Sequence, residues 1–257
     1  MEKYFNINKS GHSVRCKIYF GDLKNIKTVI ICGHGFGGHK DNRASQKIAE
    51  YVLKKFKDIA VMTFNMPCHG DDVKKKLHLE DCSEYIRLVC EHVSAEFSPE
   101  KILGYATSFG GYLFLKYISE HDNPFNKLAL RCPAINMFDV LTGRIITPGD
   151  QKALSAGKPI SAGFDRKITI TRDFTESLKA ADISERDFKS YSSDILILHG
   201  TADEIVPFDR SKEFCEKNGI TLVPVDGADH RFQDPSKMDA AIKKIVEFYG
   251  LVKTSGV

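Results

Sequence analysis

Six short, almost unbroken apolar runs constrain this chain more than any other feature: Thr28–Cys32, Ile59–Phe64, Lys101–Tyr105, Leu128–Cys132, Ile195–Leu198 and Thr221–Val225. A strand with one face in water alternates apolar and polar residues, whereas a strand covered on both faces is apolar throughout, as in parallel sheets. Helical periodicity separates most of the runs. Cys82, Tyr85, Ile86, Val89, Cys90, Val93 and Phe97 recur at three- and four-residue steps within Leu79–Phe97, and Ser45–Phe56, Tyr112–Ser119, Ser211–Lys217 and Met238–Tyr249 read likewise. Strands alternating with helices imply right-handed crossovers and a doubly wound, mostly parallel α/β sheet. Ahead of them, Val14, Cys16, Ile18 and Phe20 alternate with polar residues, and Tyr4–Ile7 with the turn-like Asn8–Gly11 predicts an opening hairpin.

One interval breaks the rhythm. Pro133 to Ser193 lacks a core strand and carries Gly143, Pro148, Gly149, Gly157, Pro159 and Gly163, then an alternating Lys167–Thr171 and a short helical stretch at Phe174–Ala181. Insertions of this length are either surface excursions or covers for a site. Residues 133–190 are read as an inserted lid, with 1–132 and 191–257 forming the core domain. Phe138, Phe164, Phe174 and Phe188 either line an acyl or aryl pocket there or pack the lid itself.

Charge and cysteine usage narrow the function classes. Thirty-seven Lys and Arg against 34 Asp and Glu leave a net charge of +3, too balanced for a nucleic-acid or anionic-membrane footprint. No apolar run approaches the roughly 20 residues of a membrane span, and Met1–Asn6 lacks the apolar stretch of a secretory leader. Seven scattered cysteines without a Cys-x-x-Cys pair indicate neither a disulfide framework nor a zinc site. Reduced, structural cysteines suit a cytoplasmic protein.

Gly33-His34-Gly35-Phe36-Gly37-Gly38 follows the first core run and satisfies G-x-G-x-x-G. A dinucleotide site also requires an acid at the end of the next strand. That strand ends Phe64-Asn65-Met66, with Asp58 ahead of it, and His39-Lys40 excludes a phosphate-binding P-loop. The same glycines suit a tight turn whose Phe36 N–H points into a cleft to hold a developing oxyanion.

Ala106-Thr107-Ser108-Phe109-Gly110-Gly111 joins the Lys101–Tyr105 run to a helix. A serine between small residues at a strand-to-helix turn is the nucleophile-elbow pattern, with Ala106 in place of its first glycine. Its oxyanion donor is the N–H of Phe109. A serine hydroxyl needs a base, and the base an orienting acid. Asp203 follows the Ile195–Leu198 run, and His230 follows Thr221–Val225. The order Ser108, Asp203, His230 is that of the α/β hydrolases, at the sheet edge where open α/β folds bind ligands. Taken singly, each residue has an ordinary alternative: a serine in a glycine turn, an aspartate cap, a loop histidine.

With these motifs the sequence resembles the α/β-hydrolase superfamily, and within it small bacterial carboxylesterases of the cinnamoyl/feruloyl-esterase kind. The matching segments are Gly33–Lys40, Ser108–Gly111, His199–Pro207 and Gly227–His230, together with a His-Gly turn at Pro67–Asp71. The resemblance implies the α/β-hydrolase fold with a lid and a serine carboxylesterase. Ser108, Asp203 and His230 would be its catalytic residues, and Phe36 and Phe109 its oxyanion donors, acting through an acyl-enzyme. An aryl or short-acyl ester would be the substrate, and no cofactor or metal would be required. A peptidase or thioesterase with the same triad, and a non-catalytic ligand-binding relative, are the alternatives. The expected partner is a small-molecule ester, uncharged or weakly charged given the balanced composition, with no nucleic acid and no membrane; homo-oligomerisation is left open. His34 and His69 are expected to fix loops by hydrogen bonding. Cys68 and Cys132 could approach the cleft. Arg131, which ends a core run, either pairs with an internal acid or meets a substrate carboxylate.

Overall fold

The computed structural model describes residues 1–251; residues 252–257, the end of the expected core range, lie outside the described residues. β1 (Glu2–Lys9) and β2 (His12–Phe20) form the opening hairpin. There follow β3 (Thr28–Gly33), α1 (Arg43–Leu53), β4 (Ile59–Phe64), α2 (Leu79–Phe97), β5 (Lys101–Thr107), α3 (Phe109–Glu120) and β6 (Lys127–Arg131). The next segment holds α4 (Met137–Val140), a π-helical turn at Leu141–Ile145, α5 (Pro148–Ser155), the small hairpin of β7 (Ile160–Ala162) and β8 (Ile168–Ile170), and α6 (Arg172–Ala180). The chain then returns through β9 (Ile195–Gly200), α7 (Phe208–Asn218), β10 (Thr221–Val225) and α8 (Pro235–Phe248).

The eight-stranded sheet runs β1-β2-β4-β3-β5-β6-β9-β10, parallel from β4 onward and antiparallel only at the β1-β2-β4 end. This is the α/β-hydrolase fold that the motifs imply. Alternate residues of one strand enter opposite cores: Leu128 and Leu130 of β6 pack with α2, α3 and the inserted segment, while Ala129 packs with α1 and α8. That two-sided burial is why the central runs read as unbroken apolar sequence.

Two expectations are corrected here. Thr221–Val225 was grouped with the doubly buried runs, yet β10 is the sheet edge and is partly exposed along its length. Pro224 cannot donate to a ladder, and an edge strand accommodates it. Pro148 and Gly149, named only among the glycines and prolines of an interval in which no helix was expected before Phe174, open α5: Pro148 is in its first turn, and Thr147 and Asp150 form a reciprocal capping box.

Candidate active site

Ser108 stands between β5 and α3 with φ 52° and ψ −119°, a backbone conformation that L side chains rarely adopt. Its surroundings over-determine this turn. The Ser108 N–H donates to the Arg131 carbonyl at 3.0 Å, and the Ser108 carbonyl accepts from Tyr112 and Ala134, each at 3.1 Å. The small neighbours are required by close approach: a Cβ on Gly110 would lie 2.6 Å from the His34 carbonyl oxygen, and one on Gly111 2.8 Å from Pro133. Ala106 fits the first-glycine position because its partner in the sheet is Gly33, where a Cβ would meet Ala106 at 3.3 Å and the Phe114 ring at 3.0 Å.

The glycine loop after β3 packs on this serine. A Cβ on Gly35 would sit 3.4 Å from Ser108 Cβ. His34 holds the loop, with one ring nitrogen 2.8 Å from the Gly35 carbonyl and the other accepting the Met66 N–H at 3.0 Å. Burial pushes the His34 pKa down to about 4, against the hydrogen bond to Gly35. His69 is likewise held well below its usual range by burial and by its neighbour His34, and its Nδ1 lies 2.7 Å from the Pro67 carbonyl. Both rings are therefore neutral struts. The Phe36 and Phe109 amides have no acceptor among the described residues, and the Phe36 and Phe109 rings meet edge to face at 5.6 Å beneath the loop.

Asp203 and His230 lie on the loops that follow β9 and β10. Asp203 Oδ2 is 2.7 Å from His230 Nδ1, and Asp203 Oδ1 accepts the Ile205 and Val206 N–H groups at 2.9 and 2.7 Å. Burial alone would raise this carboxyl. Hydrogen bonds from His199 and His230, the His230 charge and the Val206 N–H outweigh it and hold Asp203 well below the usual carboxylate range. The close approach of the two loops depends on Gly200, where a Cβ would lie 2.2 Å from the Ala228 carbonyl.

Ser108, His230, Phe36 and Gly35 line one cavity of about 600 Å³, together with Arg131, Ile145, Phe164, Asp165, Glu204 and Arg231 among others. Ser108 and His230 share this wall without a hydrogen bond between their side chains. Of the four phenylalanines named in the inserted segment, Phe164 lines the cavity; Phe174 and Phe188 are buried in the core, and Phe138 is partly buried against it.

Two of three neighbours carried no expected role, and the other, Cys132, was expected only to approach the cleft. His199, fully buried, places Nε2 3.1 Å from Asp203 Oδ2 and Nδ1 2.8 Å from the Ser211 hydroxyl. Its signal was a lone histidine ending the apolar run of β9. Cys132 lies beside the acid: its sulfur and the Asp203 and His230 ligand atoms all fall within 4.8 Å. That trio is the one group among the described residues able to hold a metal ion. The Asp203–His230 hydrogen bond occupies two of its ligand atoms, and burial and the Asp203 charge push the Cys132 thiol well up, keeping it protonated. The third neighbour is the turn between β7 and β8, whose Arg166 N–H donates to the Gly37 carbonyl at 2.9 Å.

The family of serine aminopeptidases S33 (Hydrolase_4) matches residues 24–154, from the approach to β3 through α5. No curated protein matches this chain by sequence. Among solved structures, Est1E from Butyrivibrio proteoclasticus superposes with a TM-score of 0.72 at 18% identity, over 96% of this chain and 99% of its own. The same protein with ferulic acid bound gives 0.72 at 19%, over 96% and 100%. A serine hydrolase without a lid, XC6422 from Xanthomonas campestris, gives 0.67 at 15%, over 100% and 97%. At these identities the likeness is one of fold. No helix among the described residues is long and apolar enough to cross a membrane.

Proposed function

The chain belongs to the serine aminopeptidase S33 family (Hydrolase_4), and from that premise we propose that it is a serine carboxylesterase acting through Ser108, His230 and Asp203. The observation that carries the reading is the Asp203–His230 hydrogen bond at 2.7 Å, set in the same cavity as a serine held on a strained turn. With Nδ1–H donated to Asp203, His230 keeps Nε2 as the free base.

In the first half-reaction Ser108 Oγ attacks the ester carbonyl while His230 takes its proton. The N–H groups of Phe36 and Phe109, which have no acceptor among the described residues, hold the oxyanion. Collapse breaks the bond to the alcohol, which leaves with the proton from His230. Water then attacks the acyl-enzyme by the same route, releasing the acid and restoring Ser108. The segment 133–190 serves as a lid in this reading, supported by Ile145 and Phe164 on the cavity wall. Seven free, buried cysteines support a reducing, cytoplasmic setting.

A peptidase is the second reading, favoured by the description of the family itself. One assay separates the two: hydrolysis of 4-nitrophenyl acetate and butyrate against aminoacyl 4-nitroanilides, with Ser108→Ala as control. The esterase reading expects ester turnover that falls roughly 10³-fold or more in Ser108→Ala. Turnover of the anilides alone would replace it with the peptidase, and ester turnover unchanged in Ser108→Ala would refute the assigned nucleophile.

A further inference from the structure

Arg131 is the last residue of β6, and the Ser108 N–H is bonded to its carbonyl. Its side chain lies on the α1/α8 side of the sheet, only 6% exposed, and reaches the wall of the Ser108 cavity. The guanidinium carbon sits 4.9 Å from the centre of the Phe232 ring, a contact that consumes no N–H. Nη1 donates two hydrogen bonds, one at 3.4 Å to the Arg231 carbonyl and one at 3.4 Å to Met238 Sδ. Nε has no partner among the described residues. No carboxylate among the described residues lies within 4.0 Å of the group. Asp203, the buried acid of the same site, is already taken by His199, His230 and two backbone amides.

Every other formally charged side chain on that wall, Arg43, Asp165, Glu204 and Arg231, is exposed and solvated. Arg131 alone is a desolvated charge without a counter-charge, an arrangement that folding by itself disfavours. A guanidinium presents its N–H groups as a planar fork that fits a carboxylate with two parallel hydrogen bonds. The stacking on Phe232 anchors the His230 loop but consumes no donor, and the Nε and Nη2 edge of the fork is without a partner among the described residues.

We infer that Arg131 recognises an anionic group, a carboxylate, on the substrate hydrolysed at Ser108. The inference rests on the serine-hydrolase reading and names the substrate class within it: esters that carry a free carboxylate. It refines the expectation drawn from whole-chain charge, because one buried cation at the site outweighs a balanced surface. It also disfavours a substrate ammonium in the same part of the cavity.

The test uses the full chain and two matched ester pairs. One pair carries the charge on the acyl side, mono-4-nitrophenyl adipate against 4-nitrophenyl hexanoate. The other carries it on the alcohol side, 4-acetoxybenzoate against its methyl ester. For at least one pair, kcat/KM should favour the charged ester about 10-fold or more, and that ratio should fall roughly 10–100-fold in Arg131→Met, with partial retention in Arg131→Lys. A structural role for Arg131 would lower Tm without moving the ratio. Hydrolysis of the neutral esters with no preference for charge overturns this inference and leaves the esterase reading intact; hydrolysis of none of the four overturns the esterase reading and this with it. Should Arg131→Met fail to fold, the wild-type ratio and competitive inhibition by adipate and benzoate decide, and the absence of both overturns the assignment.

Discussion

The main-chain N–H of Arg166 donates to the carbonyl of Gly37 at 2.9 Å, bonding the turn of the inserted hairpin to the loop that carries the Phe36 amide. The contact is backbone against backbone. Gly37 has φ +75°, and a Cβ there would lie 2.5 Å from the Phe164 nitrogen. A Cβ on Gly163 would lie 2.2 Å from the Arg166 carbonyl oxygen. The inserted segment thus packs backbone to backbone against the loop that carries one proposed oxyanion donor.

Gly37→Ala should therefore damage turnover more than folding. The positive φ and the clash should cost upward of about 1 kcal/mol in stability. Displacement of the loop should lower kcat roughly 10-fold or more, toward the ~10²–10³ known for loss of a whole oxyanion donor. Steady-state kinetics and a melting curve on the same sample check this. A normal kcat in a folded variant would detach the hairpin from the chemistry.

Asp203 has a sharper signature. In Asp203→Asn the amide oxygen can still accept from Ile205 and Val206, but the NH₂ then faces the nitrogens of His199 and His230, now 3.1 and 2.7 Å from Asp203 Oδ2. His230 would be driven to the wrong tautomer, and kcat should fall by about 10⁴, the scale seen for this change in trypsin. Asp203→Ala should lose similar activity and more stability, because it strands two amides and His199. Comparable activity in Asp203→Asn and wild type would remove Asp203 from the mechanism.

The buried histidines give a pH dependence of known sign. His34, its pKa lowered to about 4 by burial, is neutral in the fold and titrates near its ordinary ~6.5 when unfolded. Between those values the unfolded chain binds a proton that the folded chain refuses. Stability should fall as pH drops through that window, by about 1.4 kcal/mol per pH unit for this residue, with His69 adding to the slope. Above roughly pH 6.5 neither contributes. Denaturant titrations at pH 7 and pH 5 should give a slope about one proton smaller in His34→Gln. Equal slopes would show that His34 takes up its proton in the folded chain.

Much of this was legible in the sequence, for identifiable reasons. Leu128–Cys132 and the other central runs are apolar on both faces because helices cover both, so the parallel sheet could be read directly. Ser108, Asp203 and His230 each follow a strand, and strand ends on one edge of a parallel sheet meet in space. The exceptions depend on contacts between distant segments. His199 and Cys132 flank Asp203 because β9 lies beside β6 in the sheet, an adjacency that no local pattern encodes. The partly exposed edge position of β10 has the same origin. α5 was hidden for a local reason, since proline and glycine at a helix start look like those of a turn. Arg131 was left between an internal acid and a substrate carboxylate, and only the packing around it removes the internal acid.

The central claim is that Ser108 is a nucleophile activated by His230. Its most direct measurement is labelling of the folded chain at neutral pH with a fluorophosphonate probe, read by intact mass and peptide mapping. The account predicts one adduct, on Ser108, abolished in Ser108→Ala and strongly slowed in His230→Ala. Folded wild-type protein that stays unlabelled, or that carries the adduct on another residue, would contradict it.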